Sequence, residues 1–177
     1  MLREAITQML NQIKFRLLAL LNLMLLCSTA CQALDSDKYQ PLNIMSETSQ
    51  TDYINNIISY QGNAIAIQGT TKLTGNKIMT YVDDNSQLTK LIAYGSDEVP
   101  ATYSTLPRKK SSLFFGSANI ITYLTDEKLA VFEQNAYAAF NENTFKGPNF
   151  RYYTERGEVL TTSSKTSRVS ISLKEKN

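Results

Sequence analysis

The sequence predicts an all-β protein in which many short antiparallel strands form a rolled sheet or a sandwich. Three observations predict this class. Tyr, Thr, Ile and Ser are abundant and Trp is absent, a composition typical of strands and turns. Apolar residues alternate with a period of two in short segments, with turn signals about 8 to 12 residues apart, and no segment after residue 33 has the apolar period of a helix. A block of sequence also repeats.

The repeated block reads Asn-Ala-Ile-Ala at residues 63–66 and Asn-Ala-Tyr-Ala at residues 135–138, and a looser copy occupies residues 118–123. The tails of the three copies align as pairs two residues apart: Ile78 and Thr80, Ile121 and Tyr123, and Phe150 and Tyr152. An acidic residue follows each pair at the same distance: Asp83, Asp126 and Glu155. Because this register is that of a strand followed by a turn, the paired residues should lie on equivalent faces of repeated strands. Repetition on this scale indicates stacked or rolled β-structure.

Alternating segments predict strands along the rest of the chain: residues 41–44, 53–60, 63–68, 70–73, 77–82, 87–94, 101–103, 113–115, 119–124, 129–132, 136–140, 150–154, 159–162 and 169–173. Gly and Asn between them mark turns, because both adopt positive φ at low cost. Polar and charged composition predicts a frayed end at residues 34–40 and an irregular stretch at residues 45–52. The longest loop is expected at residues 106–112, and a charged tail at residues 174–177.

Residues 1–33 predict a secretory signal peptide, which leaves residues 34–177 as one mature domain. Lys14 and Arg16 supply its positive region, and residues 17–26 supply an apolar core. That core is too short to span a bilayer as a helix, which needs about 20 apolar residues. An uncleaved membrane anchor and a lipoprotein acylated at Cys31 are the alternatives. Cys27 and Cys31 both fall in the signal, so the mature domain would have no disulfide.

The charge of the mature chain excludes a nucleic-acid binder. The chain has 18 basic and 16 acidic side chains, and residues 1–33 hold three of the basic ones and a single acidic one, so the remainder is neutral. Nucleic-acid affinity requires a concentrated basic face. The single basic cluster, formed by Arg108, Lys109 and Lys110, is interpreted as a solvated loop, with a phosphate clamp as the alternative.

The sequence also lacks the groups that enzymes need. It has no histidine, which excludes Ser-His-Asp triads, Cys-His dyads and His-rich zinc sites, and it has no phosphate-binding loop. Carboxylates occur as pairs in predicted turns: Asp83 and Asp84, Asp126 and Glu127, and Glu155 and Glu158. Such acids are expected to be solvated rather than to form a catalytic pair with a shifted pKa. We therefore predict no enzyme activity, no catalytic residue, no cofactor and no metal site.

The ten tyrosines and seven phenylalanines have two interpretations. Aromatic residues on strands commonly fill a core or pair across strands. Many of them alternate here with Ala and Thr rather than with larger residues, which would leave room for a ligand between two sheets.

An ordered set of short motifs resembles the OstA-like family of lipopolysaccharide transport proteins, and most closely its periplasmic, LptA-type members. The resemblance covers residues 40–176. It rests on these stretches: Gln-Pro-Leu-Asn-Ile at 40–44, Gln-Gly-Asn at 61–63, Ile-Gln-Gly-Thr at 67–70, Tyr94-Gly95, Pro-Ala-Thr-Tyr at 100–103, residues 116–123, Asn-Ala-Tyr at 135–137, and Lys146-Gly147 with Phe150 and Tyr152.

The resemblance implies an open β-jelly roll whose two sheets form a V lined with apolar side chains. It also implies that the protein binds the acyl chains of lipid A there, in the periplasm of a Gram-negative cell. The expected lipid-binding residues combine those placed by the repeat with those placed by the family: Leu42, Ile44, Ile78, Tyr103, Ile121, Tyr123, Phe150 and Tyr152. The basic loop and several Ala or Tyr positions depart from the family pattern. The resemblance therefore does not predict the width of the groove or the lipid it prefers.

The resemblance further implies assembly. Family members join N-terminal edge strand to C-terminal edge strand as head-to-tail oligomers, and they bridge LptC-like inner-membrane and LptD-like outer-membrane components. Residues 42–44 and 169–173 are the corresponding edges. Two alternatives remain at this point: a membrane-anchored LptC-like component of the same fold, and a periplasmic structural or adhesion β protein that has a filled core and no ligand.

Overall fold

Twelve strands and no helix are found in the described residues, 40–107, 112–161 and 168–173, of the computed structural model. The prediction of an all-β fold is therefore confirmed. In chain order the strands are β1 (Leu42–Met45), β2 (Thr48–Asp52), β3 (Ile57–Gln68), β4 (Thr71–Val82), β5 (Leu88–Tyr94), β6 (Ala101–Thr105), β7 (Phe114–Ala118), β8 (Ile120–Leu124), β9 (Leu129–Phe140), β10 (Asn143–Tyr153), β11 (Glu158–Thr161) and β12 (Ser170–Ser172).

Several sequence predictions fall outside the described residues. They are the signal peptide with Cys27 and Cys31, the basic cluster of Arg108, Lys109 and Lys110, and the charged tail at residues 174–177. Within the described part of the chain, no helix is long and apolar enough to cross a membrane.

All described strand pairs are antiparallel, and the four longest strands change partners along their length. In β4, residues 72–74 pair with β6 and residues 77–82 pair with β5. The strands β3, β9 and β10 divide in the same way. The long strands thus belong to two half-sheets. The first contains, in spatial order, β2, β3, β4, β5, β8, β9, β10 and β11, and the second contains β1, β3, β4, β6, β7, β9, β10 and β12.

A crease separates the two half-sheets, and the sequence repeat lies on it. At Gly62-Asn63 and at Gln134-Asn135 the backbone has positive φ at both residues, 83° and 44° in the first pair and 64° and 56° in the second. The pairing registers of β3 with β4 and of β9 with β10 shift beside these bends. Extra residues of this kind bend a strand and increase its twist. The repeated block therefore marks where the long strands pass from one half-sheet to the other.

Small residues line the inside of this crease. Cross-strand partners there are Ala64 with Gly75, Ala101 with Ala118, and Ala136 with Gly147. The four alanines are at most 2% exposed. Small side chains at the apex let the two half-sheets converge, while larger side chains further from the crease fill the space between them.

The strand predictions need four corrections. The strands β3, β4 and β9 were each predicted as two short ones, because Gly and Asn at the crease were interpreted as turns. Residues 48–52 form β2 although an irregular stretch was predicted, since every residue of this edge strand is exposed and no apolar alternation marks it. Residues 53–56 form a turn where a strand was predicted, and residues 143–149 form part of β10 where none was predicted.

We predict that Gly116→Ala destabilises the fold and that Gly147→Ala does not. A Cβ at Gly116 would lie 2.4 Å from Cε1 of Phe132, whose ring is fully buried and stacked on Phe150 at 4.1 Å. Overpacking of this kind costs about 1–3 kcal/mol. A Cβ at Gly147 would meet only ordinary contacts, the nearest at 3.4 Å. Urea unfolding followed by circular dichroism measures both, and equal unfolding free energies would contradict the placement of Phe132.

Candidate functional site

The inner face of the folded sheet contains all eight residues that the sequence analysis selected. Across the first half-sheet, Ile78 pairs with Ala93, Ala93 with Ile121, and Phe132 with both Ile121 and Phe150. Tyr123 and Tyr152 are both cross-strand partners of Ala130, in the next row away from the crease. On the second half-sheet the row from β1 to β7 contains Ile44, Ala66, Leu73, Tyr103 and Gly116, and Leu42 lies one row further out. The sequence register thus places the site residues on one surface.

Six aromatic rings from both half-sheets pack together at the centre of this surface. We call them the aromatic cluster: Tyr103, Phe114, Tyr123, Phe132, Phe150 and Tyr152. Tyr103 extends from the second half-sheet and lies edge-on to Phe132 of the first, with ring centroids 5.9 Å apart. Phe114 stacks on Tyr152 at 3.6 Å, with the ring planes 2° apart. These contacts hold the two half-sheets against each other.

The space between the half-sheets is filled in this conformation. Ile78, Tyr103, Ile121, Phe150 and Tyr152 are at most 2% exposed, whereas Leu42, Ile44 and Tyr123 are half-buried near the rim. The expectation that Ala and Thr would leave room between two sheets is therefore wrong for this state, because aromatic rings occupy the space above the alanines.

One small cavity remains beside the aromatic cluster. Its volume is about 20 Å³, room for roughly one water molecule. The lining residues are Leu42, Ala66, Gln68, Thr71, Leu73, Leu91, Tyr103 and Tyr123. A ligand of any length could enter only if the half-sheets moved apart.

Two polar atoms are buried in this interior without a partner. The hydroxyls of Tyr103 and Tyr152 make no hydrogen bond. The hydroxyls of Thr71 and Thr105 lie close enough to that of Tyr103 to oppose the effect of burial on its pKa, but they bond to each other at 2.9 Å and neither reaches hydrogen-bond geometry with Tyr103. A buried donor without a partner costs about 1–3 kcal/mol. Burial raises the pKa of Tyr103 well above its usual value and that of Tyr152 to about 12, so both remain neutral donors at physiological pH.

The carboxylate pairs lie in or beside turns, away from this interior. Asp83 Oδ1 accepts hydrogen bonds from the backbone N–H groups of Asn85 and Gln87 and so stabilises the turn after β4. Asp126 and Glu155 are exposed in the turns that follow β8 and β10. No group of three or more metal-ligating side chains occurs in the described ranges.

Sequence reasoning missed two central members of the aromatic cluster, Phe114 and Phe132. Phe114 is followed by Phe115, so alternation alone could not tell which ring faces inward. Gly116 decides between them. It lies opposite Tyr103 on the inner face, where a Cβ would meet the ring of Phe132, and Phe114, two residues away on the same strand, shares that face. Phe132 lies between Ile121 and Phe150 in one cross-strand row. Extending the alternation of the repeat into the strand between these two residues would have identified it.

The comparisons with known proteins agree with this architecture. The profile of the LptA/(LptD N-terminal domain) LPS transport protein family matches residues 43–158. The chain is 28% identical over 129 residues to the lipopolysaccharide export system protein LptH of Pseudomonas aeruginosa, covering 73% of this chain and 72% of that protein. It is 27% identical over 157 residues to LptA of Escherichia coli K12, covering 88% and 83% of the two chains.

A crystal structure of LptH from Pseudomonas aeruginosa has the same fold. It superposes with a TM-score of 0.72 at 24% identity and covers 79% of this chain and 99% of that one. LptH is the LptA-homologous periplasmic component of the lipopolysaccharide transport device of that organism. The predicted β-jelly-roll fold and family resemblance are confirmed, and the predicted periplasmic location agrees with these relatives. The prediction that the chain is not an enzyme agrees with a family of transport proteins.

We predict that alkaline pH unfolds the protein through Tyr103 and Tyr152. In the unfolded chain both tyrosine hydroxyls lose their protons at about pH 10. In the folded protein the pKa of each is raised, so that the Tyr152 hydroxyl keeps its proton up to about pH 12. The stabilisation is complete below pH 10 and falls above it by up to ~1.4 kcal/mol per pH unit per tyrosine. Urea unfolding from pH 9 to 12 should show this fall, and Tyr152→Phe should reduce it.

The matched control for this experiment is Tyr53→Phe, since the Tyr53 side chain is 87% exposed. It should leave the slope of unfolding free energy against pH unchanged. An equal slope in the wild type and in the Tyr103→Phe, Tyr152→Phe double variant would show that these two tyrosines do not carry the effect.

Proposed function

The chain belongs to the LptA/LptD N-terminal family of lipopolysaccharide transport proteins, and from this premise we propose that it carries lipopolysaccharide through the periplasm by binding lipid A acyl chains between its two half-sheets. The observation that carries the proposal is the span of the family match. Residues 43–158 include strands β3 to β10, which contribute every member of the aromatic cluster. The site would consist of Leu42, Ile44, Ile78, Tyr103, Ile121, Tyr123, Phe150 and Tyr152.

Binding would require acyl chains to replace the contacts between the half-sheets. Aromatic pairs contribute about 0.5–1.5 kcal/mol each beyond their buried area, so separating Phe114 from Tyr152 and Tyr103 from Phe132 has a definite cost. An incoming chain would offset this cost by burying apolar area at ~25 cal/mol per Å². This force has no preferred direction, and a cargo that slides along the groove would keep it at every position.

Leu42, Ile44 and Tyr123 are the natural first contacts. They are half-buried at the rim, whereas Ile78 and Ile121 are fully buried next to the aromatic cluster, in which Phe150 is itself buried. We therefore expect lipid to enter beside β1 and to reach the deeper residues only after Tyr103 and Tyr152 have separated.

A filled interior also fits a structural β protein that holds no ligand, and this is the competing interpretation. It accounts for the fully buried Ile78, Tyr103, Ile121, Phe150 and Tyr152 without any opening. Family membership favours transport, and the lipid-binding experiments below separate the two.

We further propose that the protein forms part of a bridge between LptC-like inner-membrane and LptD-like outer-membrane components. β1 and β12 lie at opposite edges of the second half-sheet. Each edge carries exposed apolar residues, Met45 at 54% on β1 and Ile171 at 52% on β12. Pairing one copy's β1 edge with another's C-terminal edge is a heterologous contact that does not close, so copies would add head to tail.

The export route is part of the same proposal. Residues 1–33 would act as a cleaved signal peptide and residues 34–177 as the mature periplasmic domain. N-terminal sequencing of the purified protein tests this, and an intact N-terminus found only in membranes would favour the anchored LptC-like alternative.

We predict that Ile44→Asp abolishes lipopolysaccharide binding and that Met45→Asp does not. The two residues are neighbours on β1, but Ile44 packs against the core and Met45 points outward and is 54% exposed. A carboxylate at residue 44 would lose its hydration when lipid entered, at a cost of several kcal/mol. Binding of lipopolysaccharide to purified protein, with circular dichroism as the folding control, measures both. Retained binding by a folded Ile44→Asp variant would exclude the groove.

Tyr123→Asp should have the same effect as Ile44→Asp, for the same reason. A photo-crosslinking residue at position 123 should label lipopolysaccharide, and the same residue at position 84 should not, because Asp84 is exposed in the turn between β4 and β5. Equal labelling at the two positions would contradict an interior site.

We predict that the oligomers depend on the C-terminal edge. Deletion of residues 169–177 removes β12 and exposes the edge of β10 along residues 144–146. Native mass spectrometry should show concentration-dependent oligomers for the intact chain and monomers for the truncated one, with unchanged β-sheet circular dichroism. If the truncated chain associates as strongly as the intact one, β12 is not part of the joint.

A further inference from the structure

The aromatic cluster contains two tyrosines at positions where a phenyl ring would be enough for packing. Phe114, Phe132 and Phe150 fill the same cluster without a polar atom. Phe114 stacks face to face on Tyr152 and lies edge-on to Tyr103, so all these side chains share one apolar environment. The hydroxyls of Tyr103 and Tyr152 lie among these rings with no hydrogen-bond partner.

The remaining buried polar side chains of this interior are satisfied. Thr105 is 5% exposed and its hydroxyl bonds to that of Thr71 at 2.9 Å. Thr80 is 3% exposed and donates to the backbone oxygen of Ile58 at 3.4 Å. In the described part of the chain, Tyr103 and Tyr152 alone have buried side-chain polar atoms without a partner. Such a group destabilises the empty protein, and a partner supplied by a ligand would remove that penalty.

We propose that Tyr103 and Tyr152 are specificity residues of the groove, whose hydroxyls donate hydrogen bonds to oxygen atoms on the bound acyl chains. This inference rests on the proposed function, since it assumes that acyl chains enter between the half-sheets. Hydrocarbon alone offers no acceptor, whereas a hydroxyl group or an ester carbonyl on the chain does. Because every acyl chain has the carbonyl, the hydroxyl is what distinguishes one chain from another, and the groove therefore selects hydroxylated acyl chains, although most of its affinity comes from apolar burial.

The geometry supports two donors acting on one lipid. Tyr103 belongs to β6 in the second half-sheet and Tyr152 to β10 in the first, and their ring centroids are 6.4 Å apart. When the half-sheets part, one donor lies on each wall of the groove. Both phenols are protonated at physiological pH, as an ordinary tyrosine is, and burial raises the pKa of each further. A chain with an oxygen near its attachment point can then be held from both walls.

The test compares two probes that differ by one oxygen, tetradecanoic acid and 3-hydroxytetradecanoic acid, as competitors for lipopolysaccharide bound to the purified full chain. The wild type should bind the hydroxylated acid several-fold more tightly, since one net hydrogen bond corresponds to roughly a five-fold change in affinity. Tyr103→Phe and Tyr152→Phe should each reduce the ratio of the two affinities, mainly by weakening the binding of the hydroxylated acid. Tyr137→Phe, on the outer face against Phe115, is the matched control and should keep the full preference.

Thermal unfolding of the empty protein gives a second measurement. Because the hydroxyls have no partner there, Tyr103→Phe and Tyr152→Phe should unfold at the same temperature as the wild type or higher. Lower unfolding temperatures would show that the hydroxyls already have partners in the empty protein, and would overturn the inference. Equal binding of both acids by wild type and variants would also overturn it but leave the groove intact. Failure of both acids and of lipopolysaccharide to bind at all would instead refute the proposed function.

Discussion

Packing between the aromatic rings of the two half-sheets is the interaction on which the rest of this structure depends. The long strands supply both walls, so the chain could bend at the crease to many angles if nothing held the walls together. The stack of Phe114 on Tyr152 at 3.6 Å and the edge-on contact of Tyr103 with Phe132 fix that angle. The row of Ala and Gly at the apex permits it, because larger side chains there would force the walls apart. The same contacts close the interior to a ligand.

This arrangement gives a transport protein two properties that conflict. A stable exported domain with no disulfide needs a well-packed core, whereas a lipid carrier needs an apolar surface that it can expose. Here one set of residues would serve both purposes, since Ile78, Ile121 and Phe150 form the core when the groove is empty. On our proposal, acyl chains replace the opposite wall as the packing partner of these residues. On the same proposal, the unpaired hydroxyls of Tyr103 and Tyr152 would lower the cost of opening, because the lipid would give them acceptors.

The sequence predicted the local structure and the inner face well, because both depend on short-range periodicity. The repeat register correctly placed Ile78, Ile121 and Phe150 in one row, since each is followed by the same two-residue alternation and turn. It could not predict that the long strands continue through the crease. Asn63 and Asn135 are residues typical of hairpin turns, and only the strand pairing on both sides of them shows that the strands continue. It also missed β2, whose exposed residues carry no apolar pattern and whose position depends on backbone pairing with β3. The closure of the groove depends on contacts between distant strands, which no local pattern records.

The distance between the two half-sheets shows whether lipid enters between them. Spin labels can be attached at Lys72 and Arg151, which are exposed on the outer faces of the second and the first half-sheet, in a chain whose Cys27 and Cys31 are replaced by serine. Pulsed electron paramagnetic resonance then measures the distance between the labels with and without lipopolysaccharide. We expect the distance to lengthen when lipopolysaccharide binds, because acyl chains must separate Phe114 from Tyr152. An unchanged distance at saturating lipopolysaccharide would show that the lipid binds elsewhere and that the interior is only a core.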